Sequence, residues 1–201
     1  MTDYKLRLEG RRSPMGTGVW APGRARSVHG PLVPCKRGLH FCRGLEQAVG
    51  WLNAELWTFE DLTPEETIDA GDKMVTRKGR ILERVESWNE RTARLFAADC
   101  AEEALDGLPE RDVDERSRRA IEVARAYARG EASAADLSAA RSAARSAAES
   151  AAESAAWSAA WSAAGSAAER AAWSAAGRAA GSAARTRQAV ILGEYLRGER
   201  A

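Results

Sequence analysis

Cysteine is scarce in this chain: three in 201 residues, at positions 35, 42 and 100. An odd, unevenly spaced set excludes a disulfide framework, and unpaired thiols point to a reducing compartment. An excess of charge is also missing, since 30 Lys and Arg stand against 29 Asp and Glu, a net of +1. That balance supplies no electrostatic reason to expect nucleic acid or an acidic membrane as partner. No run of about 18 apolar residues occurs, so no membrane span is expected. The opening MTDYKLRLEGRR has no apolar core of the kind a signal peptide needs, and a cytoplasmic protein is the expectation. Aromatic residues amount to 6%, and seven of them are Trp. In a chain built largely from small residues, such rings are read as packing anchors.

What is present divides in two. Residues 1–86 read as a small mixed α/β module. Tyr4-Lys5-Leu6-Arg7-Leu8 alternates apolar and polar, the pattern of a strand. RRSPMGTGVWAPGRARSVHGP is rich in Gly, Pro and Arg and reads as a long loop or loose hairpin. LVPC and LHFC then read as two short strands around Lys36-Arg37-Gly38, with glycine placed for a positive φ. Leu45, Ala48, Val49 and Leu52 share one helical face. Leu56–Phe59 is an expected strand, and helix and strand both remain open for 73–85. The segment Trp88–Leu105 has the period of an amphipathic helix, closed by Gly107 and Pro109. Asp114 is placed to cap a second helix that stops at Gly130, and a third begins at Ser133 or Ala134.

Ser138 to Arg185 is twelve tetrads without a slip, each with Ala-Ala in the middle and none with proline. Ten open with Ser; Arg170 and Arg178 open the others. This composition has very strong helix propensity. A four-residue repeat drifts about 40° per tetrad around a helix. Trp157 and Trp161 therefore lie near one another, while Trp173 falls about 160° from Trp157 on a straight rod. A hairpin at Gly165 or between Gly177 and Gly181 reconciles the rings, and so does a straight rod that buries several faces by self-association. The helices over 88–105 and 114–129 need cover, so the folded bundle is the expectation. Trp157, Trp161 and Trp173 are the candidate partner-binding residues.

The residues with chemistry cluster in Cys35–Cys42, which holds two of the three cysteines and one of the two histidines. Cys35, His40 and Cys42 are zinc-ligand types, and His29 or Cys100 would have to complete a tetrahedral set. The Cys-x-x-Cys knuckle is missing. His40 and Cys42 are also the types of a thiol–imidazole pair, which needs an orienting carboxylate that the sequence does not supply. Against both stands a packed hairpin in which Leu39 and Phe41 fill a core and Cys42 is a small buried apolar group. Gly16-Thr17-Gly18 is too short for a phosphate loop. Arg7, Arg11, Arg12, Arg24, Arg26, Lys36, Arg37 and Arg43 make the first 45 residues basic. They read as solvated loop charge balanced by the acidic stretch from Glu55 to Asp72.

In order, the blocks LVPCKRGLHFC, GDKMVTRKGRIL, ESWNERTARLFAADCAEEAL and RRAIEVARAYARGEASAADL lead into alanine tetrads bearing Trp, Arg and Glu. This order resembles an uncharacterised family of phage and actinobacterial proteins. The helical half is similar to the putative immunity protein family of bacterial toxin systems. The resemblance implies a mixed N-terminal module, an all-helical C-terminal module and a role in binding a toxin protein, in the host cytoplasm where the gene is phage-borne. It carries over no catalytic residue. The expectation is thus an α+β protein, with a mixed module over 1–86 and a helical module over 87–201 that contains the tetrads at 138–185. Its expected role is that of a non-catalytic binding or structural accessory protein, with no cofactor, whose partner is a protein or a second copy of the chain. The alternatives are a small enzyme centred on His40 and Cys42, and a zinc-stabilised interaction module.

Overall fold

The computed structural model describes residues 2–13, 18–106, 114–143, 146 and 167–200. Its elements follow the α+β expectation. Strands β1 (Asp3–Arg7), β2 (Arg26–Ser27) and β3 (Leu39–Arg43) precede a short helix α1 (Leu45–Val49). Strands β4 (Glu55–Asp61), β5 (Ile68–Asp69), β6 (Met74–Thr76) and β7 (Lys78–Arg84) follow. Then come α2 (Glu90–Asp106), α3 (Glu115–Arg129), α4 over 134–143, and α5 (Ala167–Arg197). Two compact units result: Met1–Glu90 with Arg185–Ala201, and Arg91–Ala184.

In the first unit the seven strands form one sheet in the order β2-β7-β4-β1-β3-β6-β5, and every ladder is antiparallel. Three strands lie between β6 and β7 in that order, yet only Arg77 separates them in the chain. The sheet must therefore roll. Polar groups tie the roll: Thr76 Oγ1 donates to Asp61 Oδ1 at 2.6 Å, Thr63 N to the same oxygen at 3.0 Å, and the Thr63 and Thr76 hydroxyls bond at 3.0 Å. The concave face holds a core of Trp20, Leu39, Phe41, Trp57, Phe59, Met74 and Ile81. Leu39 and Phe41 are buried, as the packed-hairpin reading expects. The open choice over 73–85 resolves to strand. One expectation is corrected: LVPC forms no strand. Residues 34–36 are a turn closed by Val33 N donating to Arg37 O at 2.8 Å. Pro34 withholds a ladder N–H there, and Cys35 takes a φ of 63°. Gly38 has a φ of 148° and passes so near β6 that a Cβ would stand 2.2 Å from Val75 Cγ1.

The C-terminal end of α5 belongs to this unit. Its apolar positions Ala189, Ile191, Leu192 and Tyr195 are buried. Ser87 Oγ donates to Leu196 O at 3.0 Å, and Thr186 Oγ1 to Glu46 Oε1 on α1 at 3.2 Å.

In the second unit, Asp114 caps α3 by accepting from Arg116 N at 2.8 Å. Gly130 ends it in the left-handed conformation, with a φ of 79°. Ser133 and Asp136 form a capping box before α4: Ser133 N donates to Asp136 Oδ2 at 2.9 Å and Asp136 N to Ser133 Oγ at 3.2 Å. The tetrad residues that the structure describes, 138–143, 146 and 167–185, are helical, and α5 runs through Gly177 and Gly181 without a break. Glycine costs only about 1 kcal/mol against alanine inside a helix, less than the surrounding alanines can carry. Gly165, Trp157 and Trp161 lie outside the described residues. Trp173 lies on α5.

Candidate functional site

Three places in the described structure hold side chains with chemistry. The first is the Cys35–Cys42 hairpin. Alternation along β3 sends Leu39 and Phe41 into the concave core and turns His40 and Cys42 to the other face. Cys35 is exposed, and its backbone N–H donates to His40 Nε2 at 3.0 Å. That bond requires a lone pair on Nε2, so the imidazole carries its proton on Nδ1. Burial, then the charges of Lys5 and Lys73, hold the His40 pKa below its ordinary value. The Cys42 thiol is buried, and burial pushes its pKa up to about 12, so almost no thiolate forms at neutral pH. The pair named as nucleophile and base thus faces one way without being activated: one partner is a protonated buried thiol, and the other's lone pair is held by the backbone. Cys100 lies on α2 in the other unit, and His29 is exposed. Among the described residues no group of three or more His, Cys, Asp and Glu side chains is placed to hold a metal ion. Beside this hairpin lies Lys73, whose charge acts on His40. Its ammonium also sits 4.3 Å from the centre of the Trp51 ring and 3.0 Å from Asp72 Oδ2.

The second place is inside the roll. The alternating pattern of β1 suggests that Lys5 and Arg7 face water, but both are buried. The register pairs Lys5 with Trp57 and Arg7 with Glu55, which puts these charges on the aromatic face. Lys5 Nζ donates to His40 O and lies 4.6 Å from the Trp20 ring centre and 5.3 Å from that of Phe59. Burial, then the neighbouring Arg7 charge, pushes its pKa down to about 7. Arg7, read as solvated loop charge, is 1% exposed and is corrected to a structural residue. Its Nη2 donates to Arg11 O at 2.7 Å and to Gly18 O at 3.2 Å. Burial lowers its pKa to about 10, which leaves it charged at neutral pH. Glu55 completes the arrangement by accepting from Gly10 N at 3.0 Å, Arg11 N at 3.2 Å and Trp57 Nε1 at 2.9 Å. These contacts hold the turn after β1, and every one is internal.

The third place is in the helical unit. Arg125 of α3 reaches α2, with Nη2 2.6 Å from Asp99 Oδ1 and 2.6 Å from Glu102 Oε2. Alongside, a cleft of about 450 Å³ opens between α2, α3 and α4. Arg94 and Tyr127 form one wall. The other wall is a single face of α4: Ala134, Leu137, Ser138, Arg141 and Ser142 recur at helical spacing. The Arg94 guanidinium stands 4.8 Å from the centre of the Tyr127 ring, and Leu137 is a buried floor. Sequence reasoning missed this cleft. Its signal was the first tetrad itself, whose Ser138 and Arg141 share that face with Ser142.

Among the described residues, no helix is long and apolar enough to cross a membrane. No curated protein and no solved structure shows significant similarity to the chain. The region from the end of β7 through the last turns of α5 tells more: the model of the Imm-5 like putative immunity protein family matches residues 83–195, over half of the sequence, and the chain belongs to that family.

Proposed function

We propose that this protein is an immunity-type binding protein, which neutralises a bacterial toxin by holding it in a stoichiometric complex without chemistry of its own. The observation that carries this reading is the family match over 83–195, which takes in α2, α3 and α4 and all of the alanine tetrads. In this reading the helical region makes the partner contacts, with Trp157, Trp161 and Trp173 as aromatic anchors of the kind that dominate interface energies. The N-terminal Cys35-x4-His40-x-Cys42 module, similar to modules of phage and actinobacterial proteins, is an accessory that also carries the end of α5. The inactive disposition of His40 and Cys42 supports a binding role over the enzyme alternative.

The test is co-expression in a bacterial host of this chain with the product of the gene adjacent to its own. Restored growth, together with co-elution of the two proteins at a fixed ratio, is the expected result. A toxic neighbour whose effect is unchanged by the folded chain would refute the reading.

A further inference from the structure

We draw no further inference here: the strongest candidate, the open apolar groove between β1, α1 and the end of α5 that Tyr4, Leu45, Ala189 and Val190 line, carries nothing because nothing in the structure shows what covers it.

Discussion

Leu192, near the end of α5, has no exposed surface, and Ile191 and Tyr195 beside it are 2% and 3% exposed. Val190, on the same helix, is 58% exposed. The pair therefore separates burial from helix propensity. Fully burying a leucine side chain contributes about 1.5–3 kcal/mol. Truncation to alanine also leaves a cavity that relaxes only in part, which brings the usual cost to about 2–5 kcal/mol. Set against a typical domain stability of about 5–15 kcal/mol, Leu192→Ala should shift urea unfolding of the first unit visibly. Val190→Ala removes surface that is mostly wet, and alanine is the better helix former by less than about 0.7 kcal/mol. Its effect should stay within about 0.5 kcal/mol. Trp20, Trp57 and Trp88 are buried in the same unit, so their share of the tryptophan emission shift in urea reports this unfolding. If Leu192→Ala costs no more than Val190→Ala, the end of α5 is not part of that core.

Lys5 should make stability rise with pH. Its folded-state pKa lies near 7, against an ordinary 10.5. Below pH 7 the folded chain bears the full cost of a buried charge. Above it, the unfolded chain still binds a proton that the folded one has released, so the balance shifts toward folding. Cys42, raised from 9.0 to about 12, acts with the opposite sign from about pH 9 upward. The rise is therefore measured between pH 7 and 9, and Lys5→Met should flatten it; an unchanged slope would assign it to another group. Gly79→Ala should cost about 1–3 kcal/mol by overpacking, because its Cβ would meet Phe59 Cζ at 2.2 Å and Glu60 O at 2.8 Å; a neutral result in thermal melts would show that β4 can shift. Iodoacetamide with mass-spectrometric mapping should label exposed Cys35 promptly in the native protein and Cys42 only after unfolding. Equal labelling rates would contradict the burial described for β3.

Much of this architecture was legible in the residues, and the reasons differ by place. Asp114, Gly130 and Ser133 marked helix ends because caps are local chemistry. The core role of Leu39 and Phe41 followed from the period of two in a strand. Lys5 and Arg7 misled because alternation assumes one wet face, whereas the rolled sheet encloses the face they share with Trp57 and Phe59. Glu55 could not be foreseen as the acceptor for Gly10 and Arg11, since that pairing spans 45 residues of sequence. That the end of α5 lies in the same compact unit as the sheet was not legible, because periodicity tells which side is buried and never against what. The cleft was hidden for the same reason: Arg94, Tyr127 and Arg141 meet only through the packing of three helices.

In the proposed function, protection arises from holding a protein rather than from turnover. The most direct measurement titrates the purified chain against a fixed amount of the toxin that co-expression identifies, in that toxin's own assay, at toxin concentrations well above the dissociation constant. Residual activity should fall linearly and reach its floor at a fixed molar ratio, unchanged by longer incubation. Protection that keeps growing with time at a small fraction of that ratio would mean turnover, and would contradict it.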